Sequence, residues 1–252
     1  MKTIFVIAKN TFREAIRDKI LYAILGFAAL FILSSLFIAQ LARGDIVPVK
    51  SFGLAGIYIF GLIAAIFLGS SIIYREIERR TLYFILSKPV SRSHIIIGKF
   101  AGLLAAVALT TIIMTIVYEG VILYHSGSFD YGGFIAMIFQ IMEEAIFIAL
   151  LIFLSSFVAP LTSTICATII LFVGHLTGSA LAEAKLVGGV SYKLIAIVYY
   201  VFPNLDKFDL RNFAVHNIPL PSFLGIIAFL YALLYSTVLL YAAYLLFKRR
   251  EL

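Results

Sequence analysis

The sequence has no tryptophan, one cysteine and six prolines in 252 residues, and only 13% of it is charged. Each scarcity excludes something. The single thiol, Cys166, rules out an internal disulfide, and a lone cysteine within an apolar run behaves as a small hydrophobe. His94, His125, His175 and His216 are scattered, with no H-E-x-x-H and no paired cysteine, so no metal site is expected. There is also no G-x-x-x-x-G-K-[ST] loop. Ahead of Gly98-Lys99 the first glycine position holds Ser93, and Phe100 follows the lysine. The chain therefore cannot cradle ATP in such a loop, and carries no cofactor of its own by this reading. Internal repeats, low-complexity tracts and flexible linkers are missing too, which points to one domain over 1–252.

What the sequence does have is apolar length. It is 63% hydrophobic, with a mean hydropathy of +1.08, against roughly 45–50% apolar and 25% charged residues in soluble domains. Six runs are long enough for a bilayer core, which takes about 20 helical residues. They lie near Ile20–Ala42, Phe52–Tyr74, Phe100–Tyr124, Phe134–Val158, Leu161–Ala182 and Ser222–Phe247. Only Ala159-Pro160 parts the fourth from the fifth, but a proline there breaks the helix. The expected fold is an all-α polytopic membrane protein.

Ahead of the first span, Ile4, Phe5, Ala8, Phe12, Ala15 and Ile16 make an apolar stripe at helical spacing, with five Lys and Arg around it. Residues 1–19 thus read as an amphipathic helix on an anionic leaflet, not as a cleaved signal. An even number of spans puts both termini on one side. Fourteen of the twenty Lys and Arg fall in 1–19, 75–99 and 248–250, against six on the opposite side, Lys50 in the first outer loop among them, which places the termini in the cytoplasm of a cell-membrane protein. The net charge of +7 is then an orientation signal, and no nucleic-acid partner is needed to explain it. On the outer side, 183–221 is the longest loop. Its apolar stretch Tyr192–Phe202 is too short to cross, so it reads as a re-entrant or interfacial helix, ended by Pro203-Asn204.

The polar island between the second and third spans has its own grammar. Thr81 can cap a short helix, on which Leu82, Ile85 and Leu86 share a face, and Pro89 ends it by disfavouring α geometry at Lys88. Ser91 can start the next helix, which runs through Gly98-Lys99 into the third span. From spacing alone this is equally a loop whose apolar face rests on the membrane surface.

The pattern Glu76-x-Glu78-x-x-Thr81-Leu82-x-x-x-Leu86-Ser87-Lys88-Pro89-Val90-Ser91-Arg92, followed by Gly98-Lys99, resembles the first cytoplasmic loop of ABC-2-type transporter permeases. It is most similar to the small permeases grouped with the membrane subunit of the nitrous-oxide reductase maturation system. It departs from their pattern at Arg80, where a glycine is common. The resemblance implies a coupling helix that docks into a separate ATP-binding cassette subunit, which would bind ATP and Mg. Glu76, Glu78, Arg79 and Arg80 would pair charges with that subunit, Leu82, Ile85 and Leu86 would fill its cleft, and Thr81, Lys88 and Pro89 would bound the helix. It further implies a non-enzymatic permease subunit, an exporter working as a dimer of six-span halves, with a second copy as the natural partner.

Three carboxylates interrupt the spans: Glu119 towards the outer end of the third, and Glu143 and Glu144 mid-way along the fourth, with Gln140 one turn earlier. A charge at mid-membrane costs at least about 2.5–3.5 kcal/mol, so these groups should face protein or a water-filled path. Either they line a substrate path or they hydrogen-bond neighbouring helices. Adjacent residues point about 100° apart, so at most one of Glu143 and Glu144 should face a lumen. A proton-coupled secondary carrier using these groups is the alternative function. Gly98-x-x-x-Gly102 and Gly174-x-x-x-Gly178 allow close helix approach, either within one subunit or between two, and His175 reads as a hydrogen-bonded interior group.

Overall fold

The computed structural model describes residues 2–41, 45–70, 91–221 and 223–249. Among these the regular structure is helical: α1 (Lys2–Arg17), α2 (Lys19–Leu41), α3 (Ile46–Ser70), α4 (Arg92–Ser126), α5 (Tyr131–Ser155), α6 (Pro160–Val187), α7 (Gly189–Val201), a single 3-10 turn (Asp206–Phe208), α8 (Arg211–Val215) and α9 (Leu224–Arg249). Six of them, α2 to α6 and α9, are long and apolar enough to cross a membrane. The all-α, six-span architecture expected from the sequence is therefore present.

Boundaries shift in ways that have physical reasons. Helix α3 begins at Ile46, six residues ahead of the apolar run, because Pro48 falls in its first turn, where its missing N–H costs nothing. This draws Lys50 out of the expected outer loop and into the bundle, where it is 6% exposed. Helix α4 starts at Arg92 behind Ser91, as the sequence indicated, although the Ser91 hydroxyl meets Ser93 and makes no cap bond. Helices α5 and α6 part at 156–159, with Pro160 opening α6. Helix α6 runs on to Val187, beyond the expected Ala182.

Helix α5 is the centre of the bundle: from Ile146 to Ile152 no residue is more than 5% exposed. It packs against α3, α4, α6 and α9, and a helix apolar on every side is stable only when surrounded. Helix α2 is peripheral and buries one stripe, Leu21, Ile24, Ala28, Ile32, Ser35 and Ala39, against α3 and α4.

Helix α1 lies on the start of α4. A Cβ at Gly102 would stand 2.5 Å from the Ala8 carbonyl oxygen, and one at Gly98 2.8 Å from Ile7, so this glycine pair is the seat of α1. The Arg92 guanidinium donates to the Lys248 carbonyl (3.0 Å), bringing the end of α9 to the same place. Helix α1, the start of α4 and the end of α9 thus gather at one end of the bundle.

Helix α7 buries none of its residues. What packs inward is the stretch after it. The Leu205 N–H donates to the Gly174 carbonyl (3.2 Å), and a Cβ at Gly174 or Gly178 would meet Pro203 or Asp206. The Gly174/Gly178 pair therefore receives residues 203–206 of the same chain.

Candidate functional site

The three intramembrane carboxylates fall into three different settings. Glu144 is fully buried and closes a knot between helices. Thr111 of α4 donates to both of its oxygens (2.9 and 3.1 Å), and Gln140 donates to Oε1 (2.9 Å) and to the Ile57 carbonyl of α3 (3.1 Å). Gly61 leaves the room for this group. Its oxygens are satisfied by protein, which is what a helix-to-helix clamp requires.

Glu119 belongs to an ion-paired cluster at the other end of α4. Its Oε2 accepts the Asp130 backbone N–H (3.2 Å). Asp130 takes a salt bridge from Lys50 (2.9 Å) and a hydrogen bond from the Tyr118 hydroxyl (2.6 Å), and Lys50 also reaches Asn217 (3.4 Å). Lys50 and Asp130 have side chains 8% and 2% exposed. A pair so buried holds α3, α4 and the segments flanking α5 and α8 in one register.

Glu143 points elsewhere. Its Oε1 accepts from the Tyr58 hydroxyl of α3 (3.0 Å) and lies 2.8 Å from His175 Nε2 of α6, while Tyr58 and His175 are themselves 2.7 Å apart. Three helices meet at this triangle. Glu143 Oε2, buried in the same place, has no hydrogen-bond partner among the described residues.

Residues 203–211 cover the triangle. The Arg211 guanidinium lies 4.1 Å from the centroid of the Tyr58 ring, a favourable cation–π placement. Asp209 holds it there through two bonds, to Nε (2.7 Å) and Nη2 (2.6 Å). Burial pushes the Asp209 carboxyl up, but the bonds and charge of Arg211 outweigh it and hold Asp209 below its ordinary value. Burial in turn disfavours the charged Arg211, and Asp209 more than restores it. The pair is ionised at neutral pH.

A cleft of about 510 Å³ runs along this cluster between α3 and α6. Tyr58, His175, Asp206, Asp209 and Arg211 form its polar end. Its walls are Ile59, Leu62, Ile63 and Ile66 from α3 and Thr168, Leu171 and Phe172 from α6, with Phe147 of α5 behind them. Small-molecule sites have this form: about 300–1,000 Å³, mostly apolar, with a few convergent polar groups.

Of the residues singled out in the sequence, Glu143 and His175 join this cluster, whereas Glu119 sits in the Lys50–Asp130 cluster and Glu144 in the Thr111–Gln140 knot. Glu76, Glu78, Arg79, Arg80, Thr81, Leu82, Ile85, Leu86, Lys88 and Pro89 lie outside the described residues. Among the described residues no group of three His, Cys, Asp or Glu could hold a metal ion. Sequence reasoning missed Tyr58, Asp209 and Arg211 altogether. The Asp-x-Arg spacing at 209–211, in apolar surroundings, was the one available signal.

No curated protein matches this sequence significantly. The family model described as ABC-2 family transporter protein matches residues 5–252, nearly the whole chain. Its members are membrane subunits that generally lack an ATPase site and generally work with a separate ATP-binding subunit. With six membrane-competent helices and a match of that extent, this chain belongs to the ABC-2 transporter family as a multi-pass permease subunit.

Proposed function

We propose that this chain is one membrane half of an ATP-driven exporter, in which the cleft between α3 and α6 is the substrate path. The observation that carries the reading is the position of α3. One face of this helix forms a cleft wall through Leu62, Ile63 and Ile66 and, through Tyr58, reaches Glu143 and His175. Its last described turn leads directly into 71–90, the segment whose pattern resembles a coupling helix. A push on that segment therefore acts on the cleft wall without an intermediary.

In this mechanism a cassette ATPase docks on the face made by Leu82, Ile85 and Leu86, with Glu76, Glu78, Arg79 and Arg80 around it. Closure of two ATPases on ATP and Mg moves the segment, tilts α3 and α4, and parts the Tyr58–Glu143–His175 triangle beneath the 203–211 cover. Two copies of the chain form the working dimer in the cell membrane, with both termini and 75–99 in the cytoplasm and 183–221 outside. The collection of α1, the start of α4 and the end of α9 at one end of the bundle supports that arrangement.

The test is gentle detergent co-purification with and without the Leu82→Glu/Leu86→Glu change, followed by ATP hydrolysis. A cassette ATPase that accompanies the native chain and is released by the double change is the expected result. Purification of the native chain without any ATPase would overturn the proposal and favour a proton-coupled carrier.

A further inference from the structure

The cleft has two chemically distinct ends, and their chemistry restricts what it can hold. Apart from the Thr168 hydroxyl, which already donates to the Thr164 carbonyl (2.8 Å), the walls offer no hydrogen-bonding side chain. A sugar or peptide seated there would lose its hydration without replacement, at a cost of about 1–3 kcal/mol for each unpaired group. The body of the ligand must be apolar.

The polar end carries an excess of negative charge. Asp206 and Asp209 line it against one guanidinium, Arg211, so the lining side chains other than His175 carry a formal charge of minus one. Glu143 and His175 stand beside them as a hydrogen-bonded pair that also meets the Tyr58 hydroxyl. Lys207 lies outside the cleft lining, with its ammonium over the Tyr231 ring, 5.3 Å from the centroid. The cleft already accommodates one cation on an aromatic face, the Arg211 guanidinium on Tyr58. Phe172, 63% exposed along the wall, offers a second face. Charges beside apolar walls act through a lower effective dielectric than in water, so this excess selects between ligands of opposite sign.

We infer that the cleft binds a hydrophobic organic cation, an ammonium- or phosphonium-type centre on an apolar body, with the charge at the Asp206–Asp209 end. This rests on the reading of the cleft as the transport path.

Tetraphenylphosphonium and tetraphenylborate have nearly the same size and shape and opposite charge. Equilibrium dialysis of each against the purified full-length chain in lipid nanodiscs, with partitioning into empty nanodiscs of the same lipid subtracted, is the test. The cation is expected to bind saturably and at least tenfold more tightly than the anion. Asp206→Asn, a change at an exposed position, should weaken the cation several-fold, as should Phe172→Ala. Leu171→Trp should abolish binding while the protein still elutes as a single species. Equal or tighter binding of the anion would overturn the proposal. So would cation binding that Phe172→Ala and Leu171→Trp both leave unchanged.

A labelling experiment separates this inference from the reading beneath it. In a Cys166→Ser background, Ile63→Cys should react with a water-soluble maleimide and be protected by tetraphenylphosphonium. Reaction without protection would overturn the cation and leave the path standing. No reaction at all would overturn both.

Discussion

Replacing Lys50 with methionine is the most exacting test of how the end of the bundle away from α1 is held together. The side chain keeps most of its length and apolar stem, so packing changes little, but the ammonium is gone. Asp130, 2% exposed, then keeps only the Tyr118 hydroxyl on Oδ2 and has nothing on Oδ1 among the described residues. Removing one partner of a buried ion pair costs about 3–5 kcal/mol, because the other charge stays buried without compensation. At about 2–4 °C per kcal/mol for a chain of this size, the melting temperature should fall by on the order of 10 °C. The assay is thermal unfolding in nanodiscs, followed by the gain in reactivity of half-buried Cys166 towards a thiol-reactive dye. Asp130→Asn in the Lys50→Met background should recover more than half of the loss, since the neutral amide no longer demands a counter-charge. If the single change is silent, or the two changes add without coupling, the reasoning from burial and geometry is wrong.

Other predictions follow from the same contacts. Glu144→Leu strips acceptors from Thr111 and Gln140 and should lower stability by about 1–3 kcal/mol in the same unfolding assay, whereas Glu143→Gln should mainly change transport in reconstituted vesicles. Gly102→Val drives a side chain into the Ala8 backbone and should detach α1, read as new protease sensitivity between α1 and α2. Gly120→Ala, which meets nothing within 4 Å, should be silent. The Asp209–Arg211 pair gives a pH signature. Because Asp209 is held below its ordinary value of 3.8, its contribution is present above that pH and lost as pH falls through the still lower folded value. The protection factor for hydrogen exchange at 205–215, corrected for the intrinsic pH dependence of amide exchange, should therefore hold down to about pH 4 and fall only below it.

Local chemistry made much of the fold legible. Pro160 broke what would otherwise be a single apolar run, the i, i+4 stripe of α1 declared an amphipathic helix, and Ser91 marked where α4 begins. The 100° step between neighbours on a helix also required Glu143 and Glu144 to part, and they do: one meets Tyr58 and His175, the other Thr111 and Gln140. Partners were not legible. Tyr58 and His175 lie 117 positions apart and come together only because α3 and α6 flank α5. Arg211 reads as an ordinary loop cation until the 203–211 stretch is folded inward against Gly174 and Gly178. Lys50 was misplaced for a related reason: hydropathy fixes where the apolar run starts, but Pro48 lets the helix start earlier, and only tertiary structure supplies the buried carboxylate that makes a lysine tolerable there.

The most direct test of the central claim is whether ATP moves the walls of the cleft. Ile63→Cys and Leu171→Cys in a Cys166→Ser background place one thiol on each wall. The chain would be reconstituted with its ATPase partner and treated with a bifunctional maleimide of cleft-spanning length. Cross-linking whose rate changes at least several-fold on adding ATP and Mg, with transport arrested once the link forms, is the predicted result. A rate indifferent to ATP, with full transport in the cross-linked protein, would contradict a path between α3 and α6.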